Sequence, residues 1–104
     1  MPTNTLNERS FTVDDEGFFT NRDEWSEELA ADMAELIAIE LDDDHMAPLE
    51  FMRKDAAETG VTPTLRRMHA AGGFDIKQLY TLYPGKPIKK MAWLAGLPKP
   101  VGCV

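Results

Sequence analysis

Apolar residues return along this chain at two different spacings, and the change of spacing divides it into elements. Ser10-Phe11-Thr12-Val13 and Gly17-Phe18-Phe19-Thr20 alternate apolar with polar positions around the turn-rich Asp14-Asp15-Glu16, which predicts a short β-hairpin. Residues 1–9 are polar and aperiodic, so no regular structure is expected there, only a disordered or loosely attached terminus. From Asn21 onward the period becomes helical. Asn21 with Glu24 three residues later is a capping-box pattern, and Trp25, Leu29, Met33, Leu36 and Ile37 form one stripe, predicting an amphipathic helix over residues 22–38. A second helix is expected from near Asp42 to Gly60, with Met46, Leu49, Met52 and Ala56 inward and Asp43 and Asp44 complementing its positive end. Pro48 predicts either a bend there or a start nearer Ala47, because it removes one backbone hydrogen bond.

Thr62 as N-cap and Pro63 at the first helical position predict a third helix, with Leu65 and Met68 inward and Gly72-Gly73 closing it. Ile76, Leu79, Tyr80 and Tyr83 mark a fourth over residues 75–83. Ile88, Met91, Ala92 and Ala95 mark a fifth over residues 87–95, opened by Pro87 and stopped by Gly96. The expected fold is therefore mainly α: a small bundle of about five helices with an N-terminal β-hairpin over residues 10–96, followed by a mobile arm over residues 97–104. No internal repeat interrupts this scheme.

At 104 residues the chain fits one compact domain. No apolar stretch approaches the ~18 residues of a membrane span, and the first residues lack the apolar run of a secretory signal, so a cytoplasmic location without a membrane partner is expected. The net charge of −7 conceals an asymmetry. Residues 1–60 hold seventeen of the eighteen acids and four of the eleven bases, a net of −13, whereas residues 61–104 carry +6. Such halves either fold against each other as complementary neighbours or expose a cationic surface that steers an acidic partner.

The one cysteine, Cys103, excludes an intrachain disulfide and any multi-cysteine metal site. It stands in Leu97-Pro98-Lys99-Pro100-Val101-Gly102-Cys103-Val104, where Pro98 and Pro100 cannot extend a helix. Eight extended residues would reach ~25 Å, with the thiol near the tip. Gly102 removes bulk beside it, as suits a cysteine that enters a narrow partner site. A cysteine is more commonly a small buried hydrophobe, but a Pro- and Gly-containing tail is a poor core position. The adjacent Val104 carboxylate would raise the thiol pKa rather than lower it, so activation is expected to come from a partner's groups. That favours a carrier loaded and unloaded by other proteins over an enzyme with its own nucleophile and base.

Other candidates are weaker. His45 and His69 have no ligand partner at helical spacing and are expected in surface or helix-end roles, and no metal is expected. Asp42-Asp43-Asp44 lacks the spaced oxygens of a calcium loop, and Met33, Met46, Met52 and Met68 fall on core stripes. Residues 47–71 have the outline of a helix-turn-helix that would present Arg66, Arg67 and His69 to DNA. With two arginines on an acidic chain, DNA affinity would be weak.

Leu94-Ala95-Gly96 followed by the tail just quoted resembles the ending of the DsrC/TusE family of sulfur carriers. The resemblance extends over Val13-Asp14-Asp15-Glu16-Gly17-Phe18, Trp25, Leu41-Asp42-Asp43-Asp44-His45 and Gly60-Val61-Thr62-Pro63. It implies a helical bundle with a hairpin and a mobile arm, on which Cys103 carries sulfur as a transient persulfide without a resident cofactor. By the same resemblance Leu97, Pro98, Lys99, Pro100 and Gly102 belong to the arm that meets a sulfur donor and a sulfur acceptor. Members that work with dissimilatory sulfite reductase have a second cysteine eleven positions earlier, where this chain has Ala92. The chain is thus more similar to the single-cysteine TusE branch, which implies a sulfurtransferase-type relay in tRNA 2-thiouridine synthesis. The alternatives are a DsrC-like accessory or sulfur-trafficking protein of dissimilatory sulfur metabolism, or the helix-turn-helix regulator.

Overall fold

In the computed structural model, which describes residues 3–6 and 9–98, the chain is a five-helix domain with one two-stranded antiparallel sheet. Strand β1, Thr3–Leu6, pairs with β2, Arg9–Thr12, in a register that sets Leu6 opposite Arg9 and Thr3 opposite Thr12. This corrects two expectations. Residues 3–6 are ordered as a strand although only Leu6 is apolar among them; the threonines at alternate positions favour an extended backbone, and a segment with one apolar residue shows no alternation to read. The hairpin read at residues 10–20 is reduced to a single bridge, Val13 with Phe19, closed by Asp14 N–H donating to the Phe18 carbonyl at 2.8 Å. Phe11 and Phe19 stack at 4.7 Å between centroids, which is what the alternation registered.

The helix expected over residues 22–38 is broken. Asn21 caps only a single 3-10 turn, Arg22–Glu24, and the Glu24 carboxylate accepts from Thr12 N–H at 2.9 Å instead of closing the capping box. Trp25 is extended, Ser26 accepts from Leu29 N–H, and α1 runs over Glu27–Leu36. Its end is a Schellman turn: Ala38 takes φ 57° and Ile39 N–H donates to the Ala34 carbonyl at 2.9 Å. The turn brings Ile37 and Ile39 back onto the core while Leu36 stays exposed.

Helix α2, Asp43–Thr59, begins at its acidic N-cap Asp42 and not at Ala47, with Pro48 buried inside it. The cap explains the start: Asp42 accepts from His45 N–H at 3.0 Å, fixing a first turn upstream of the proline. Helix α3, Leu65–Ala70, is capped by Thr64, because Thr62 is engaged elsewhere and Pro63 is buried before the helix begins. Helix α4, Ile76–Leu82, is capped by Asp75, and α5, Pro87–Leu94, starts with its proline at N1 as expected. Of the four residues that marked α4, Tyr80 faces solvent.

One core holds these elements together, with Phe19, Met33, Leu49, Met52, Met68, Leu79, Tyr83 and Met91 at its centre. Met46 is half-buried at its edge. Polar ties cross it. His45 bridges the Asp42 carboxylate, 2.7 Å from Nδ1, and the Leu82 carbonyl, 3.1 Å from Nε2, and its backbone carbonyl accepts from the Tyr83 hydroxyl at 2.9 Å. His45 therefore does more than end a helix: it ties the start of α2 to the end of α4. Asp55, 5% exposed, receives both nitrogens of the Arg67 fork at 2.8 and 2.7 Å.

Two stability outcomes follow from these contacts. Ala38 occupies the left-handed region at a cost of ~1–2 kcal/mol that glycine would not incur. Ala38→Gly should thus stabilise the domain by about 0.5–1 kcal/mol after the entropy of the unfolded glycine is set against it, read as a higher urea midpoint; a lower midpoint would show that the turn is unstrained. The Arg67 guanidinium holds the Asp55 carboxyl below its ordinary range. The stabilisation it provides is complete above the unfolded-state value near ~3.9 and fades as pH falls through the folded-state value. Asp55→Asn should therefore lower the midpoint at pH 7, and the gap to the parent chain should narrow below pH ~4.

Candidate functional site

Of the residues the sequence singled out, Lys99, Pro100, Gly102 and Cys103 lie outside the described residues. What the structure supplies is the end of α5 and the two residues after it, Leu97 and Pro98. Helix α5 ends in a full Schellman motif: Gly96 N–H donates to the Trp93 carbonyl at 3.3 Å and Leu97 N–H to the Ala92 carbonyl at 3.0 Å. Gly96 has φ 70°, and a Cβ there would lie 2.7 Å from Trp25, so no other residue fits. Two carbonyls of the last turn are capped by side chains from far away in sequence. Trp25 Nε1–H donates to Leu94 at 2.6 Å, and Arg53 donates to Ala95 at 2.8 Å.

Arg53 is itself fixed. Its guanidinium carbon lies 4.1 Å from the centre of the Trp25 ring, and it exchanges hydrogen bonds with Arg22 through backbone carbonyls, 2.9 Å one way and 3.3 Å the other. Burial lowers its pKa, the neighbouring Arg22 guanidinium adds to that, and Asp23 opposes it. The position of Leu97 corrects the boundary of the arm. Leu97 is 1% exposed and packs in the core, so it anchors the chain and has no surface to offer a partner. Its apolar side chain is what completes the Schellman contact. Pro98 is exposed, and its carbonyl accepts from the Thr62 hydroxyl at 3.1 Å. Beside it opens a hollow of about 460 Å3 lined by Phe19, Arg22, Ala56, Gly60, Thr62 and Pro98.

Trp25, Arg53 and Thr62 were missed as site residues, since they are separated by nine or more positions and no spacing links them. Trp25 stood out only as a core residue of a helix that does not include it, and Thr62 only as the cap of a helix that Thr64 caps. Ala92, the position of the second cysteine in part of the family noted above, is fully buried.

The helix-turn-helix outline is filled differently. Helix α3 has six residues, Arg67 is committed to Asp55, and His69 Nδ1 lies 2.8 Å from the Phe74 carbonyl, so of the three residues expected to face DNA two are engaged within the domain. Under two helical turns with one available arginine is a poor fit to a DNA groove. Among the described residues no group of three acids, histidines or cysteines could hold a metal ion, and no helix is long and apolar enough to cross a membrane.

Known proteins resemble the chain over nearly all of its length. It is 35% identical over 101 residues to the dissimilatory-type sulfite reductase subunit gamma of Nitratidesulfovibrio vulgaris, covering 96% of each chain. It is 32% identical over 103 residues to the sulfurtransferase TusE of Escherichia coli K12, covering 92% of this chain and 94% of that one. The solution structure of Allochromatium vinosum DsrC superimposes with a TM-score of 0.81 at 32% identity, over 98% of this chain and 97% of that one. The family model described as DsrC like protein matches residues 5–104, a span that takes in the rigid exit at Leu97 and the cysteine beyond it: the chain belongs to the DsrC family.

Proposed function

We propose that this protein is a sulfur-relay carrier that takes up sulfur on Cys103 as a persulfide and passes it to an acceptor protein. The observation that carries the reading is that the family match runs through residue 104, so that the cysteine lies inside the shared region, among relatives of which several are named sulfurtransferases. The Cys103 thiolate attacks the outer sulfur of a donor persulfide; a bond forms between the two sulfurs, the donor's own sulfur–sulfur bond breaks, and the donor leaves as thiolate. The acceptor step repeats this in reverse, so no external oxidant or reductant enters. The carrier is a sulfurtransferase in the sense of a shuttling partner, its thiol activated by groups that a donor or acceptor brings.

With Ala92 in place of a second cysteine, transfer through an intrachain disulfide is closed to this chain. That supports a TusE-like relay, with tRNA 2-thiouridine synthesis as its destination and the cytoplasm as its place. The DsrC-like role in dissimilatory sulfur metabolism is the second reading, favoured by the identity to the sulfite reductase subunit gamma of Nitratidesulfovibrio vulgaris. In both, Pro98 and the residues after it form the arm, and Thr62, Arg53 and Trp25 aim it from the rigid end of α5.

Two measurements test this. After exposure to inorganic polysulfide, intact mass should show a reductant-labile gain of one sulfur on the parent chain and none on Cys103→Ala; equal gain on both would overturn the reading. Thr62→Val removes the hydroxyl that holds the Pro98 carbonyl. It should slow transfer from a persulfidated protein donor by about 3- to 10-fold, the loss of one neutral hydrogen bond, while loading by polysulfide stays unchanged. Equal slowing with both donors would show that Thr62 does not act by aiming the arm.

A further inference from the structure

A further hollow lies along the face of α5 that runs from Lys86 to Trp93. It encloses about 480 Å3 between that face, the 14–18 turn and the end of α1. Its floor is Phe18, Ile37 and Trp93, and its rim is Lys86, Lys89 and Lys90, with Glu16 the one carboxylate among its lining residues. The walls are fixed in advance. Trp93 Nε1–H donates to the Gly17 carbonyl at 3.2 Å, and Gly17 holds φ 89°, a conformation that brings its backbone against the indole. Lys90 Nζ donates to the Pro84 carbonyl, which pins one lysine at the mouth. Preformed apolar hollows of this size are where ligand side chains seat, because little order is lost on filling them.

We propose that this hollow docks an acidic segment of the protein that exchanges sulfur with the arm, one apolar side chain entering the floor while flanking carboxylates meet Lys86 and Lys89. The identity of that protein as sulfur donor or acceptor rests on the reading given under Proposed function; the chemistry of the segment rests on the hollow alone. Three lysines collected within five residues stand out on a chain of net charge −7, so the local field is opposite in sign to the whole. A carbon floor ringed by cations is complementary to an apolar anchor flanked by acids. A nucleic acid could also meet the lysines and stack a base on the aromatic floor, and the RNA probe below separates it from an acidic segment.

The position of the hollow fits the partner. The hollow reaches along α5 as far as Trp93, whose carbonyl is part of the turn that ends the helix before Leu97. The five residue-to-residue steps from Pro98 to Cys103 span at most ~17 Å. A protein seated on the lysine rim is thus within reach of the cysteine, and docking there would raise the effective concentration of one thiol at the other.

The test uses the full chain and three labelled probes: a twelve-residue peptide with glutamates flanking one phenylalanine, the same peptide with serine for phenylalanine, and a single-stranded RNA of twelve nucleotides. Fluorescence anisotropy should show the phenylalanine peptide binding at least 10-fold more tightly than the serine peptide. Lys86→Glu with Lys89→Glu should weaken it by 10-fold or more, with far-ultraviolet circular dichroism confirming that the fold persists. Ile37→Ser should weaken it independently of charge. Absence of binding at millimolar peptide, equal binding of the two peptides, insensitivity to the lysine reversal, or tighter binding of the RNA would each overturn the proposal. Polysulfide loading of the parent chain is read separately by mass: its failure would remove the relay reading and leave the peptide result to decide the hollow.

Discussion

The end of α5 is the constraint on which the rest of this structure depends. A helix that stops inside a small domain leaves its last carbonyls facing apolar surroundings, and an unsatisfied buried carbonyl costs about 1–3 kcal/mol. Here the Schellman turn at Gly96 satisfies Ala92 and Trp93, the Trp25 indole satisfies Leu94 and the Arg53 guanidinium satisfies Ala95. Trp25 can reach Leu94 only if the backbone leaves the helical region between the 3-10 turn and α1, so the break in the N-terminal helix is the other side of the same contact. Arg53 lies over the Trp25 ring and binds the Arg22 carbonyl, which draws α2 into the arrangement. Glycine at 96 follows, since any Cβ would meet the Trp25 side chain.

The consequence is that the chain is held firmly up to Pro98. A chain that left the domain through a frayed helix end would disperse its tip over a large volume. This one has Leu97 fixed in the core and the Pro98 carbonyl held by Thr62, and its direction is set before the tail begins.

Much of this was legible in the sequence, and what was not has a common cause. Pro87 opening α5, Asp75 before α4 and Gly60 after α2 are local signals, and each element lies where its signal stands. The stripe from Trp25 to Ile37 was legible as apolar spacing but not as two pieces, because the break is imposed by Leu94, sixty-nine residues on from Trp25. Thr62-Pro63 reads as an ideal helix start and is displaced by two residues because Thr62 is spent on Pro98. Residues 3–6 join the sheet through backbone pairing, which leaves no trace in apolar spacing. The candidate site was legible only as a tail. Its scaffold of Trp25, Arg53 and Thr62 comes from three distant segments whose side chains meet only in the folded state.

The opposite charges of the two halves resolve in a way that neither expectation foresaw alone. Arg67 does fold against the acidic half, pairing with the buried Asp55 of α2, which is the complementary-neighbour arrangement. The lysines at 86, 89 and 90 do not; they gather around the hollow along α5. Helix α5 thus has a lysine-bearing face along the hollow and an arginine-braced C-terminal end. Its middle is buried on the core side by Ile88, Met91, Ala92 and Leu94. Ala92 in that buried row sets a limit on the chemistry: the chain's one cysteine has no second thiol on this helix with which to close an intrachain disulfide.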